Sequence, residues 1–466
     1  MKIILIFPQC DLEDRYSNKV KIDRGYLPPL GLAYLGTVLE ENNHSVKILD
    51  LQVNNLSLDE ICEFVKEFKP DVVGISVLVN IYNKGIEIAK HLKDKLGVKI
   101  IIGGPHASCI PQKILKENDF VDFVIVGEGE YSFLELINSS FNKDIKGVYS
   151  RENGNLIFAG LREIIEDLDQ IPIPRRDFFE MEKYIPLPNQ YNILPITNMI
   201  TGRGCGYGKC TFCFEAGRLG HKYRRISPQR AIEEIKYLIK EYKIKEISFW
   251  DDEFVIGNKW VNEFCDLLKS ENIEIRWSCY ARVNYVNQEI LKKMASSGCW
   301  NIFYGLESGN QELLDKINKN ITLEQSRNAV RWAQEAGIQV RGSFMLALPG
   351  ETLEMANKTI DFALDLDLDY VQFLFTTPYP GTKLYDQCKE EGKIINENLN
   401  DYSVFKVVFL PKGYNSVDEL IRIQKEAYRK FYFRPKYIIK HIKRVKNFND
   451  IKKYWLGLKF AIGMSR

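Results

Sequence analysis

Thr201-Gly-Arg-Gly-Cys205-Gly-Tyr-Gly-Lys-Cys210-Thr-Phe-Cys213 follows directly on an apolar run at Ile196–Thr201. The run reads as a strand, so the three thiols fall on the loop at its carboxyl end. Three thiolates on one glycine-rich loop suit a soft metal or an iron–sulfur cluster. The glycines let the backbone wrap closely around such a group. Tetrahedral zinc wants a fourth Cys or His at short spacing; His221 lies eight residues past Cys213, which keeps zinc open on this loop alone. In a cubane cluster, three cysteines leave one iron without a protein ligand, and a small chelating cofactor could use it.

Downstream, strand-like runs recur at Glu246–Trp250, Glu274–Arg282, Asn301–Leu306, Gln339–Leu346 and Tyr370–Thr376. Helical patterns separate them. One opens at Ser227-Pro228, where serine can cap the first amides and proline occupies the first turn. About six βα units of this size imply a partial (βα)6 TIM-like barrel over 195–400, with its site at the carboxyl ends of the strands.

Upstream, residues 1–150 also alternate. Strands are expected at Lys2–Phe7, Val46–Leu51, Val72–Val77, Lys99–Ile102 and Phe123–Val126, with helices such as Leu32–Asn42, Leu58–Phe68 and Gly85–Lys95 between them. Continuous apolar strands separated by amphipathic helices predict a Rossmann-like, doubly wound parallel sheet covered on both faces. Ligands of such sheets sit beyond the strands' carboxyl ends. Between the two series, 151–194 reads as a linker draped over the surface, because Ile171-Pro-Ile-Pro and Ile185-Pro-Leu-Pro resist regular structure. After residue 400 the strand signals fade into a C-terminal helical region, 401–466, with a helix over Val417–Phe431. From Arg429 onward a dozen Lys and Arg face the single acid Asp450. A basic amphipathic tail of this kind can lie on an anionic membrane surface, face an acidic partner or pack back on the barrel.

The 466 residues carry a net charge of +2, with 45% hydrophobic and 27% charged residues, which points to neither a nucleic-acid binder nor a disordered chain. The apolar start is too short for a signal peptide, and no stretch approaches the roughly 18–20 apolar residues of a membrane span. The expected location is the cytoplasm, at most peripheral to a membrane. Ten cysteines in that compartment do not make a disulfide framework; the seven outside the loop read as small buried hydrophobes.

The cysteine loop resembles that of the radical S-adenosylmethionine (radical SAM) superfamily. The usual spacing there is CxxxCxxC with an aromatic before the last cysteine. Phe212 matches the aromatic, while the first gap here is one residue longer. The resemblance implies a 4Fe-4S cluster on Cys205, Cys210 and Cys213 as both metal and catalytic centre. It further implies that the open iron binds S-adenosylmethionine and that one electron yields a 5′-deoxyadenosyl radical. Phe212, Asp251, Asp252, Arg282, Glu307, Ser308 and Arg341 are the implied SAM contacts. The acids of Phe249-Trp-Asp251-Asp252-Glu253 can accept from an ammonium group, and Arg282 can pair with a carboxylate. Gly305-Leu-Glu307-Ser308-Gly309 looks like the family segment near methionine and ribose. Leu348-Pro-Gly350-Glu351-Thr352 and Thr377–Thr382 resemble further family turns.

Three strand ends of the first domain, Ser76-Val-Leu78, Gly103-Gly104 and Gly127-Glu128, together resemble the cobalamin-binding domain of cobalamin-dependent radical SAM enzymes. The motif that supplies a histidine to cobalt is missing; the loop after the first strand reads Pro8-Gln-Cys10-Asp-Leu-Glu. The resemblance implies a cobalamin-dependent methyltransferase acting on an unactivated carbon, with methylcobalamin as methyl source. The same layout also serves rearrangement or cyclisation, and a non-catalytic cobalamin or metal sensor is the alternative from another class. The implied partners are a small-molecule or peptide substrate and an electron donor such as flavodoxin or ferredoxin.

Overall fold

The computed structural model describes residues 1–10, 24–214, 222–445 and 448–465. The chain divides into two compact units. The first comprises residues 1–10, 26–184 and a short return at 398–402; the second comprises 24–25, 185–397 and 403–465.

The first unit is built on a seven-stranded sheet. Its strands are β1 (Lys2–Phe7), β2 (Ser45–Asp50), β3 (Val72–Ser76), β4 (Lys99–Gly103), β5 (Phe123–Ile125), β6 (Val148–Glu152) and β7 (Asn155–Phe158), in the order β2-β1-β3-β4-β5-β6-β7. The first five are parallel. The helices are α1 (Leu30–Glu41), α2 (Leu58–Phe68), α3 (Tyr82–Leu96), α4 (Pro105–Cys109), α5 (Pro111–Glu117) and α6 (Gly129–Asn138). Side chains alternate across a strand, so Ile4, Ile6, Val73 and Ile102 meet α2 and α3 on one face. Ile3, Leu5, Val72 and Ile101 meet α1 and α6 on the other. That two-sided burial is why the strands read as unbroken apolar runs.

The segment after residue 150 departs from the expected surface linker. β6 and β7 form an antiparallel hairpin that extends the sheet. Its two-residue turn is Asn153-Gly154, both at positive φ (49° and 80°), the backbone a tight hairpin turn requires. Beyond it, Ile171, Phe179 and Tyr184 are buried, the last two with Ala33 of α1. The prolines break regular structure here, and the segment runs along the surface with these few side chains tucked into the core.

The second unit carries six parallel strands: β8 (Ile196–Met199), β11 (Glu246–Phe249), β12 (Arg276–Ala281), β13 (Cys299–Glu307), β14 (Gln339–Leu346) and β15 (Tyr370–Phe375). Short β9 (Gly202–Arg203) and β10 (Arg224–Arg225) pair with each other. The strands neighbour one another in chain order, as an open (βα)6 barrel demands. The intervening helices are α7 (Pro228–Tyr242), α8 (Asn258–Ser270), α9 (Gln288–Ser296), α10 (Gln311–Lys316), α11 (Leu323–Glu335), α12 (Leu353–Asp365) and α13 (Lys383–Glu391). Ser227 caps α7 as expected, accepting from the Arg230 N–H. Phe249, Phe254, Phe264 and Trp277 pack edge to face between strands and α8.

An open barrel leaves an edge strand with unpaired backbone groups. Here α14 (Val417–Tyr432) covers the β15 edge. The Val371 N–H donates to the Tyr432 hydroxyl (3.0 Å), which donates to the Val371 carbonyl (2.8 Å). Tyr428 does the same for Phe373, helped by Gln424. The Phe375 N–H donates to Val404 O. After the short antiparallel pair β16 (Gly392–Ile394) and β17 (Phe409–Pro411), the chain ends in α14, α15 (Pro435–Ile442) and α16 (Phe448–Ser465).

Candidate active site

The cysteine loop leaves β8 and is held at its base by a buried polar network. Both Asp251 oxygens accept from the Thr201 N–H (3.1 and 3.2 Å), and one also accepts from the Thr201 hydroxyl (2.6 Å). Arg225 donates to that hydroxyl from Nε and Nη2, and to Phe254 O from Nη1 (2.8 Å). Its guanidinium lies 3.4 Å from the Trp260 ring centroid. Gly204 and Gly208 take positive φ (82° and 55°). A Cβ on Gly206 would come within 3.0 Å of Ile256. Left-handed turns at Gly204 and Gly208, which glycine adopts without steric cost, shape the loop on either side of Cys205.

The far side of the loop is tied to the turn after α10. The Tyr207 hydroxyl donates to Asn318 O (2.8 Å), Asn318 Nδ2 donates to Lys209 O (2.9 Å), and the Thr211 N–H donates to Ile317 O (3.0 Å). Phe212 packs with Leu313, Leu348 and Leu384. The aromatic before the last cysteine thus anchors the loop in the core.

Charged groups gather around Cys210. Arg282 Nη1 lies 3.6 Å from its sulfur, while Nη2 donates to Lys319 O. The same guanidinium stacks 4.2 Å from the Tyr207 ring centroid. Burial pushes the Cys210 thiol up, and Lys319 and Arg282 pull it back down. Lys319 Nζ donates to Glu307 Oε1 at 2.6 Å, both side chains being 8% exposed. Glu307 stands at φ 61° where the β13–β14 register shifts. Gly305 is required beside it, because a Cβ there would collide with the Glu307 carboxylate and the Lys319 ammonium. Glu253 is buried next to this group. Burial pushes its carboxyl up to about 8 against the opposing pull of Arg282. Oε1 accepts from the Val255 N–H, and Oε2 has no partner.

The remaining expected SAM contacts separate. Asp251 is buried in the Thr201–Arg225 network, while Asp252 is exposed. Ser308 Oγ lies 3.2 Å from Thr359 Oγ1 and accepts from the Asn310 N–H, so it builds a turn on α12. Arg341 is the third residue of β14, toward the start of the strand. It donates to Asn301 Oδ1 (2.6 Å) and stands over Phe303 and Tyr280. The structure brings together the Cys loop, Phe212, Arg282 and Glu307, and adds Glu253 and Lys319.

In the first unit the three expected strand ends lie side by side on the sheet. The Val77 N–H donates to Gly103 O. Gly104 (φ 97°) leaves no room for a Cβ, which would sit 2.9 Å from Ser76 Oγ and from the Val77 N–H and carbonyl. Gly103 faces open space, with the nearest atom 4.0 Å from its would-be Cβ, and Leu78 is exposed. The Gly127 N–H donates to Ser108 Oγ, and Glu128 accepts from the Ile165 N–H. His106 is buried edge-on against Tyr82, turned into the core.

Residues 23–137 match the B12 binding domain family, and residues 199–363 match the Radical SAM superfamily. Over 448 residues the chain is 35% identical to the uncharacterized methyltransferase PH0819 of Pyrococcus horikoshii, covering 95% of each chain. The chain belongs to the cobalamin-binding radical SAM enzymes. The solved fold of the cobalamin-dependent radical enzyme OxsB, with aqua-cobalamin and S-adenosylmethionine bound, is similar at a TM-score of 0.76 and 18% identity, over 99% of this chain and 71% of that one. So is the radical SAM methyltransferase TsrM of Kitasatospora setae, at 0.73 and 18%, over 99% of both chains.

The residues present fit the cofactors of this family. Three cysteines outside any disulfide on one loop, one of them buried beside two cations, form a donor set for a cluster whose irons each take one thiolate. Among the described residues no three His, Cys, Asp or Glu converge as a single ion would require; His221 lies outside those residues. The orphaned Glu253 oxygen suits an ammonium group. The open side of Gly103 suits a flat ring laid against the sheet. Cys10 follows β1, and no histidine occurs between it and Arg24. Sequence reasoning missed Thr201, Arg225 and Lys319. The Arg224-Arg225 pair just ahead of the α7 cap and the Asn318-Lys319-Asn320 turn were the available signals.

Proposed function

We propose that this enzyme transfers a methyl group to an unactivated carbon of a small-molecule or peptide substrate. The joining of a B12 binding domain to a radical SAM domain in one chain, in the arrangement shared with PH0819, carries this reading. When bound, the cluster with S-adenosylmethionine supplies carbon-radical chemistry, and cobalamin supplies a methyl carrier.

The chain's own residues do the following. Cys205, Cys210 and Cys213 hold the cluster. Arg282 and Lys319 offset the negative charge of its thiolates in a site that excludes water, where such charges interact strongly. Phe212 fixes the loop to the core. Glu253, a neighbour of the expected Asp251 and Asp252, is the acceptor for the ammonium of S-adenosylmethionine, whose positive charge would hold the carboxyl ionised once bound. Glu307, held by Lys319, shapes the strand end beneath it. Ser76, Leu78, Gly103, Gly104, Gly127 and Glu128 form the edge on which cobalamin rests. Thiolates of this kind need a reducing compartment, so the reading places the enzyme in the cytoplasm, served by a flavodoxin- or ferredoxin-type donor and with peripheral membrane contact through its tail.

The test is anaerobic purification, cluster reconstitution and reaction with S-adenosylmethionine and a reductant. 5′-Deoxyadenosine is the expected product, and Cys205→Ala, Cys210→Ala or Cys213→Ala should each abolish it. A wild-type chain that forms none excludes radical catalysis. Mass analysis of the substrate product then decides: one added methylene unit supports methylation, and an unchanged carbon count overturns it.

A further inference from the structure

The last two helices place part of their charge inward and large apolar side chains in solvent. Arg434, Lys440 and Arg444 are drawn in to Asp367 or Asp369 just ahead of β15, while Lys436 reaches Asp367 from solvent. Tyr437 and His441 are buried. Ile438, Ile439 and Ile442 on α15, and Ile451, Trp455 and Leu458 at helical spacing along α16, are 41–65% exposed, and Lys436, Lys443 and Lys459 are exposed with them. Of the fifteen exposed large apolar side chains among the described residues, eight fall between 433 and 458. A contiguous apolar face of this kind marks an interaction surface.

Behind the face lies a cavity of about 230 Å³. Ile438, Ile442, Gly457 and Leu458 of the two helices line it together with Tyr370 and Gln372 of β15. It exceeds the ~150 Å³ apolar cavity that admits benzene.

The same part of the chain carries unpaired cations. Arg429, Lys430, Lys443 and Lys459 are exposed, and none pairs with a carboxylate among the described residues. A second copy would bring like charges together, whereas an anionic lipid surface meets both the charge and the apolar face. No helix among the described residues is long and apolar enough to cross a membrane. Lysines flanking an isoleucine–tryptophan face describe an interfacial helix pair instead.

We propose that α15 and α16 dock this enzyme in the plane of an anionic lipid bilayer, and that the cavity behind them takes up a hydrocarbon chain from it. This holds whether or not the reaction is methyl transfer, so the two readings fail separately. The full chain, purified anaerobically, is sedimented with phosphatidylcholine vesicles with and without phosphatidylglycerol. Binding is expected only with phosphatidylglycerol, together with a blue shift of Trp455 fluorescence. Ile442→Glu and Trp455→Glu alter side chains already in solvent, so they leave the fold intact, and each should weaken vesicle binding about tenfold or more. A Cβ on Gly457 would meet nothing within 4 Å; since Gly457 lines the cavity, Gly457→Leu should fill it and abolish uptake of a parinaroyl lipid while leaving sedimentation unchanged. Equal recovery of wild type and the two glutamate variants with vesicles, or self-association without vesicle binding, overturns the docking surface. Undiminished probe binding by Gly457→Leu overturns the cavity's part.

Discussion

Glu351 gives a structural reason for the segment Leu348-Pro-Gly350-Glu351-Thr352. Ala347 directly follows β14 at φ 64°, a backbone that L-residues adopt at a cost. Its N–H donates to Glu351 Oε1 (2.7 Å), and the Tyr414 hydroxyl donates to the same oxygen. Thr352 then caps α12. The carboxyl is buried, Oε2 has no partner, and burial pushes its pKa from 4.5 to about 7. The folded state therefore holds this proton more tightly than the unfolded one. Its contribution to stability is fully present below 4.5 and is lost as pH rises through about 7. Glu351→Gln removes that titration and adds a fixed penalty of about 1–3 kcal/mol for a buried NH2 group without an acceptor. Denaturant midpoints across this window should show the variant's deficit largest at the acid end and shrinking toward the alkaline end. A constant deficit would mean that Glu351 is ionised throughout.

At the scale of elements, edge strand β15 depends on residues some fifty positions away. Gln424, Tyr428 and Tyr432 recur every four residues on α14, one helical turn apart. Tyrosine supplies both a donor and an acceptor, so one hydroxyl serves the N–H and the carbonyl of the same strand residue. Tyr428→Phe keeps the ring packing and leaves both Phe373 backbone groups without the hydroxyl, although Gln424 still reaches the carbonyl. The expected loss is about 1–3 kcal/mol, read as a lower denaturation midpoint and faster amide exchange at Phe373. Unchanged exchange there would show that the hydroxyl adds nothing. Strands of this sheet were legible because period and composition act locally. The ladder was not, because Tyr428 and Tyr432 read as ordinary apolar positions until β15 lies against them. The β6–β7 hairpin is a different kind of omission: Asn153-Gly154 announces it in two residues, and the proline-rich stretch that follows drew the whole segment toward a linker reading.

For the whole molecule, the cysteine loop was legible because its chemistry is carried by adjacent residues. The charges around it were not, because Glu253, Lys319 and Arg225 reach it from three separate strand ends and turns. The glycines of the proposed cobalamin edge stand out only as a set, since each alone is an ordinary turn. The two sets lie in units with separate cores, which makes their ligands separable by mutation. A Cβ on Gly103 would meet nothing in the protein closer than 4.0 Å, so Gly103→Val adds bulk on this edge. Valine also favours strand geometry, so the fold should stand and only a ring laid on that edge should be displaced. The variant is expected to lose the cobalamin absorption spectrum, with affinity down at least about tenfold, or 1.4 kcal/mol. It should still convert S-adenosylmethionine to 5′-deoxyadenosine. The Cys205→Ala, Cys210→Ala, Cys213→Ala triple variant should show the reverse, a full cobalamin spectrum with no 5′-deoxyadenosine. Cobalamin retained by Gly103→Val would move the corrin off this edge. Cobalamin lost with the cysteines would show that the second unit contributes to holding it, so the two spectra together decide whether the first unit binds its cofactor alone.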